Sequence, residues 1–287
     1  MSALHAIGID IGGTLVKLGV VDERAIIKFR QTIPVNRAPE RLVRELCSTI
    51  KLARSRYTDA PVGIACAGRV VDGVVSADNL GWNKVPLRAL LEWELGGPAP
   101  LGNDAHLAMM TEWRYGALKG CRHGIYITLG TGVGGGVIAN GSPFAGSNGV
   151  GAELGHMITH AGGLPCTCGH EGCYEMYAAA SALTRMAGGL PVKETINSIR
   201  AGNYADVWQS YLREVCIGLV SYMAIFAPEV IAIGGGLSSA GRMFEDGLNE
   251  ALRTTPGYTR LHQHIKVKLG TFGNDAGIIG AAELALQ

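Results

Sequence analysis

The sequence predicts an α/β protein built from two related lobes, and three observations carry that prediction. AIGIDIGGTLVKLGVV at residues 6–21 and GIYITLGTGVGGGVIANG at 124–141 are each a strand, a glycine-rich turn and a second strand, a weak internal repeat. Elsewhere short apolar strands alternate with segments whose apolar residues recur every three to four positions, the spacing of a helix with one buried face. The 287 residues are enough for two lobes, and no Pro/Ser-rich linker or low-complexity tract divides them. We expect a smaller α/β lobe over 1–118 and a larger one over 119–273, with the closing helix 274–287 packing back on the first.

Taken in order, HAIGIDIGG, LVKLGVV and AIIKFRQTI read as three consecutive strands. Between Pro39 and Arg56, Leu42, Leu46, Ile50 and Ala53 form one apolar stripe, which predicts a helix. PVGIACAG is a buried strand, RVVDGVVS a hairpin around Asp72-Gly73, and PLRALLEWEL a helix. APLGND reads as a short strand ending in Asn103-Asp104 at the start of a further helix. After the second glycine turn come a cysteine-rich segment, a mostly helical stretch from Tyr177 to Phe226 and the apolar strand EVIAIGGG. A helix, the strand HIKVKLGTF and the helix DAGIIGAAELAL close the chain.

Composition excludes several function classes. With 25 basic against 24 acidic side chains, no excess of one sign draws the chain to nucleic acid or a membrane surface. No apolar run approaches the roughly 18 residues of a membrane span, and MSALHAIGIDIGG lacks the layout of a secretory signal. The expectation is a cytoplasmic protein whose partners are small molecules or copies of itself. A reducing compartment then favours metal or catalytic roles for clustered cysteines over disulfides. Cys47, Cys66, Cys121 and Cys216 stand singly in apolar stretches and read as small buried hydrophobes.

The glycines need a reason. Gly130, Gly132 and Gly135 satisfy G-x-G-x-x-G, yet a strand follows where a dinucleotide fold requires a helix, and no G-x-x-x-x-G-K-[ST] loop occurs. What remains is a bare hairpin turn able to aim several N–H groups at an anion. DIGGT adds the Thr14 hydroxyl and the Asp10 carboxylate, a possible magnesium position through water. Either turn alone is equally well a tight hairpin; two in equivalent places, with a third glycine run at 234–236, favour nucleotide phosphates.

CTCGHEGC places Cys166, Cys168 and Cys173 within eight residues. A redox pair would want C-x-x-C beside a thioredoxin-like βαβ unit, and a disulfide would leave one thiol over. Three thiolates and one histidine make a closed tetrahedral zinc set, with His156, His160 and His170 all near enough in sequence.

DIGGT at 10–14, ND at 103–104, LGTGVGGG at 129–136, ELGH at 153–156, CTCGHEGCYE at 166–175 and IGGG at 233–236 resemble, in order and approximate spacing, the ROK family of sugar kinases and sugar-responsive repressors. The resemblance spans nearly the whole chain, and its cysteine segment is the most specific part. It implies a two-lobed actin-like (ribonuclease-H-like) ATPase fold with a cleft closing on sugar and ATP, and commonly a homodimer. It implies Asp104 as general base, against the ordinary N-cap reading of Asn-Asp before a helix. It places sugar contacts on Asn79, Asn103, Asp104, Glu153, His156 and Glu175. ATP and magnesium contacts fall on Asp10, Gly12, Gly13, Thr14, Gly130, Thr131, Gly132, Gly134, Gly234, Gly235 and Gly236, and the fourth zinc ligand on His156. The function implied is an ATP-dependent kinase for the 6-hydroxyl of a hexose. Glucose is the first expectation, with N-acetylmannosamine or N-acetylglucosamine as the alternative acceptor and a non-catalytic sugar sensor as the alternative of another class. Only Met1 to His5 precede the first strand, so the helix-turn-helix of the repressors is not expected. Lys17 stands two positions beyond the lysine usual after DIGGT, CAG at 66–68 replaces a proline-glycine pair, and VGAELGH inverts an Ala-Gly order.

Overall fold

The computed structural model describes residues 5–149 and 151–287; the sequence readings on Met1 to Leu4 and on Val150 of VGAELGH lie outside them. The chain forms two compact units, residues 1–111, 145–151 and 275–287, and residues 112–144 and 152–274. The change between them falls inside a helix at 111/112, where the sequence places it near 118.

The first unit is built on a five-stranded sheet. Strands β1 (His5–Ile11), β2 (Leu15–Asp22) and β3 (Ile27–Pro34) form an antiparallel meander. Helix α1 (Pro39–Arg54) leads to β4 (Val62–Cys66), which pairs parallel to β1. Strands β5 (Arg69–Val71) and β6 (Val74–Ala77) form the hairpin expected at Asp72-Gly73, where φ is 51° and 83°, the positive pair that a two-residue turn of matching twist needs. Strand β7 (Trp82–Val85) extends that hairpin into a small separate sheet. Helix α2 (Leu87–Leu95), β8 (Leu101–Asn103) and α3 (Asp104–Tyr115) follow, β8 lying parallel to β4. The sheet order is β3-β2-β1-β4-β8.

The second unit repeats the plan. Strands β9 (Gly124–Leu129), β10 (Val133–Ala139) and β11 (Ser142–Pro143) are antiparallel neighbours. After the cysteine segment come helices α4 (Glu175–Ala178), α5 (Ala180–Met186), α6 (Val192–Arg200) and α7 (Ala205–Phe226). Strand β12 (Val230–Gly234), helix α8 (Arg242–Thr254) and β13 (Lys266–Leu269) complete a sheet of order β11-β10-β9-β12-β13, with β12 parallel to both neighbours. Each sheet therefore runs third, second, first, fourth and fifth strand, which is the internal repeat seen in the sequence.

Helix α9 (Ala276–Leu284) belongs to the first unit, where it packs on β1 and β4. Its residues Ala276 to Ala282 are all buried, and the approach is so close that a Cβ on Gly8 or Gly63 would overlap the carbonyls of Ile278 and Ala281. The Arg30 guanidinium holds Asp275, just before that helix, by two hydrogen bonds of 2.7 and 2.6 Å. The α1 stripe is realised, since Leu42, Leu46, Ile50 and Ala53 are fully buried, each large aliphatic side chain contributing about 1.5–3 kcal/mol. Trp82 is core as well: it is buried, and its indole N–H donates to the Arg37 carbonyl at 2.8 Å. Among the described residues no helix is long and apolar enough to cross a membrane.

Candidate active site and thiol cluster

In the first unit the candidate site residues Asp10 and Asn103-Asp104 stand where β1 and β8 end, flanking β4. The sheet register sets Asp10 opposite Lys17 across the glycine hairpin, and Lys17 Nζ lies 3.2 Å from Asp10 Oδ2. Burial raises the Asp10 carboxyl, and Lys17 opposes that rise. The turn between β1 and β2 is closed by Gly12 N–H donating to the Leu15 carbonyl, while Asn79, exposed in the short 3-10 turn Asp78–Leu80, lies against Gly13. Thr14 is exposed.

Asn103 does serve as the cap of α3. Its Oδ1 accepts the His106 N–H at 2.9 Å and its Nδ2 donates to the Gly68 carbonyl at 2.9 Å. Asp104 is thereby held at the first position of the helix, with Oδ1 accepting the Ala105 N–H at 2.8 Å. Burial first, and the neighbouring Asp10 charge second, push its carboxyl up to about 6, against an ordinary 3.8. A carboxylate in that range is ionised at neutral pH and basic enough to take a proton. Cys66 lies buried nearby, and burial with the charges of Asp104 and Asp10 keeps it a thiol.

In the second unit the turn between β9 and β10 is held from two helices. The Gly130 carbonyl accepts the Ala180 N–H at 2.8 Å, and the Thr131 carbonyl accepts the Ser181 hydroxyl at 3.1 Å. Gly130 N–H turns back to the Gly132 carbonyl at 3.0 Å, Val133 N–H donates to Glu175 Oε2 at 2.8 Å, and Gly134 N–H to Thr128 Oγ1 at 3.1 Å. Among the described residues the N–H groups of Thr131 and Gly132 have no protein acceptor, so two donors at an exposed turn stay open to an anion. The third glycine run has mixed causes. Gly234 is packed against Tyr126, Gly235 has φ 80° against the β9 backbone, and only Gly236 faces open space.

Glu153 precedes the 3-10 turn Leu154–His156, its carbonyl accepting the His156 N–H at 3.1 Å, and the Leu154 carbonyl accepts the Tyr222 hydroxyl at 2.6 Å. His156, Cys166, Cys168 and Cys173 present ligand atoms all within 4.8 Å of one another. Cys166 Sγ is 3.7 Å from His156 Nδ1, and Cys168 Sγ is 3.5 Å from Cys173 Sγ. A tetrahedral zinc with bonds of about 2.3 Å to sulfur and about 2.0–2.1 Å to nitrogen has edges of about 3.8 and 3.6 Å, so the donor set fits that ion. Burial raises Cys168, but hydrogen bonds from the His170 backbone and the neighbouring thiols outweigh it and bring this thiol down to about 6. Burial and the same neighbours push Cys173 up to about 12. The rival histidines are differently engaged. His160 stacks on Tyr177 with ring centroids 3.8 Å apart, bonds Thr159 through Nδ1 and faces Glu214 through Nε2; His170 Nδ1 reaches Cys168 Sγ at 3.4 Å but stands outside the four-atom group.

The sequence reading did not anticipate that Glu175 bonds the glycine turn, nor that Lys17 pairs with Asp10. The second was available from hairpin register, because the turn of DIGGT brings position 17 across from position 10. The first joins residues 42 apart and has no local signal.

The sequence pattern of the ROK family matches residues 6–287. A glucokinase of Streptomyces coelicolor is 34% identical over 98% of this chain and 97% of its own. A glucokinase of Thermotoga maritima is 32% identical, covering 99% of this chain and 98% of its own. The crystal structure of a ROK family glucokinase from Streptomyces griseus in complex with glucose and AMPPNP superposes with a TM-score of 0.91 at 32% identity, covering 99% of both chains.

Proposed function

The chain belongs to the ROK family, and we propose that it is an ATP-dependent sugar kinase whose acceptor is the 6-hydroxyl of a hexose, glucose first among them. Its paired five-stranded units are the actin-like ATPase fold of that family. The observation that carries the proposal is Asp104, a carboxylate locked at a helix start with its acidity weakened to about 6.

Phosphoryl transfer asks the protein mainly for positioning, charge stabilisation and a base. Ionised Asp104 accepts the hydroxyl proton as the sugar oxygen bonds to the γ-phosphorus and the bond to ADP breaks. The products are the sugar phosphate, ADP and a proton that leaves from Asp104. In the second unit the open amides of Thr131 and Gly132 donate to phosphate oxygens, with Gly234 to Gly236 as further backbone for the nucleotide; in the first unit the glycine turn at 12–14 is the candidate phosphate contact. Magnesium, when bound with ATP, neutralises phosphate charge. Asp10, with Thr14, offers the one or two oxygen donors that this ion takes alongside phosphates and water. Asn79, Asn103, Asp104, Glu153, His156 and Glu175 hold the sugar hydroxyls.

Zinc, in this proposal, is structural. His156 through Nδ1 and Cys166, Cys168 and Cys173 would hold it, with no position left for substrate, and Nε2 of His156 stays available to the sugar. One ion then fixes the segment ending in Glu153 to His156 and the start of α4 at Glu175, a loop with little core of its own. A coupled assay of ADP release against a panel of hexoses and N-acetylated amino sugars tests the proposal. Turnover with a hexose supports it, whereas sugar binding with no turnover on any member would mark a sensor instead.

A further inference from the structure

Glu175 divides its carboxylate between two features that the function treats separately. Oε2 accepts the Val133 N–H at 2.8 Å, on the glycine turn, while Oε1 lies 4.0 Å from Cys166 Sγ, in the thiol cluster. Gly132 shows how closely the first contact is fitted. A Cβ built there would run into Glu175 Oε2, and its three nearest atoms all belong to the Glu175 carboxylate. The φ of Gly132 is not positive, so its backbone suits any residue. A side chain at 132 would therefore have to displace the Glu175 carboxylate from its place against the turn. Other supports of the turn, Ala180 N–H and the Ser181 hydroxyl, grip the carbonyls of residues 130 and 131, and Thr128 Oγ1 holds the Gly134 N–H from within the hairpin, so Glu175 is the side chain that reaches the Val133 amide from outside it.

We propose that Glu175 is a positioning residue of the nucleotide site. By holding the Val133 N–H it keeps the turn in the form whose Thr131 and Gly132 amides are open to phosphate, and it ties that form to the order of the thiol segment. This inference rests on the reading of the turn as phosphate-binding and adds to it a second role for a carboxylate otherwise assigned to the sugar. A typical hydrogen bond contributes about 0.5–1.5 kcal/mol, whose upper end is about the 1.4 kcal/mol of a tenfold change in affinity.

The test uses AMPPNP without sugar, so that loss of sugar contacts does not enter, and reads its dissociation constant by calorimetry. Gly132→Ala displaces the carboxylate and Glu175→Ala removes it; each should weaken AMPPNP about tenfold, and the double variant should be no weaker than either single. Glu175→Gln retains an oxygen for the Val133 N–H and should bind within about threefold of wild type. Single losses that multiply to about a hundredfold in the double variant, or a Gly132→Ala protein that binds normally, would overturn the role of Glu175. Hydrogen exchange on the wild type separates this from the underlying reading: AMPPNP should protect amides 130–134, and binding without that protection would sink the phosphate assignment itself. Thermal unfolding of each variant identifies any that fails to fold, in which case the Glu175→Gln and exchange results decide.

Discussion

If Asp104 is the base, its acidity must appear in the pH dependence of turnover. The carboxyl titrates at about 6, against an ordinary 3.8, chiefly through burial and then through the Asp10 charge. A base works only when ionised, so activity falls as pH drops through that value. At pH 5 a carboxyl at 6 is about one-tenth ionised, and kcat/KM for the sugar should be about tenfold below its plateau; a carboxyl at 3.8 would still be about nine-tenths ionised. Asp10→Asn removes the second cause and leaves burial, so the acidic limb should move below 6 while staying above the ordinary 3.8, whatever happens to the plateau. Lys17→Met, which removes a charge that lowers the Asp104 value, should move it up. The assay is kcat/KM from coupled ADP release between pH 4.5 and 8, because this ratio reports the free enzyme. A limb near 4 in the wild type, or one that stays put in Asp10→Asn, would refute the electrostatic account of the base.

The same carboxylate should cost stability. Its folded value lies above its unfolded value, so stability falls as pH rises from about 3.8 to about 6 and stays lower beyond; Asp104→Asn should therefore melt higher than wild type at pH 7 and equally below pH 4 in calorimetric scans. Cys168→Ser should lower bound zinc well below one per chain by elemental analysis and raise the sugar KM about tenfold or more, with kcat less affected. An unchanged sugar KM in that variant would disprove the clamp. Gly63→Ala drives a methyl into the Ala281 carbonyl of α9 and should cost about 1–3 kcal/mol or more in urea unfolding, with no such cost at Gly97, where no atom lies within 4 Å.

The legible parts of this molecule were those written locally. Period-two apolar runs flanking DIGGT and TGVGGG gave both hairpins, and their likeness foretold two sheets of one topology. The spacing of Cys166, Cys168 and Cys173 pointed to a metal clamp; the residues alone left its fourth partner among three histidines, the family resemblance named His156, and the fold places His156 Nδ1 by the thiols. Strand β7 was passed over because Trp82, Asn83, Lys84 and Val85 make only four residues, with Lys84 at φ 54°, and its pairing comes from the neighbouring hairpin. Trp82 belongs to the core, its indole satisfied by a carbonyl 45 residues away, a partner no local pattern reveals. The buried Glu112 has the same character: in sequence it is an ordinary helical acid, yet it accepts the N–H groups of Ala117, Thr271 and Phe272. Long-range polar contacts of this kind depend on tertiary packing, not on propensity.

The central claim is sugar phosphorylation with Asp104 as base, and its most direct test pairs the wild type with Asp104→Asn in one experiment. ADP release is followed with glucose and ATP, and sugar binding is measured on the same samples by calorimetry. The account predicts glucose 6-phosphate formed one for one with ADP by the wild type. It also predicts a loss of about 10²–10⁴-fold in kcat for Asp104→Asn, with glucose still bound. A wild type that binds glucose without releasing ADP, or an Asp104→Asn protein with near-normal kcat, would contradict it.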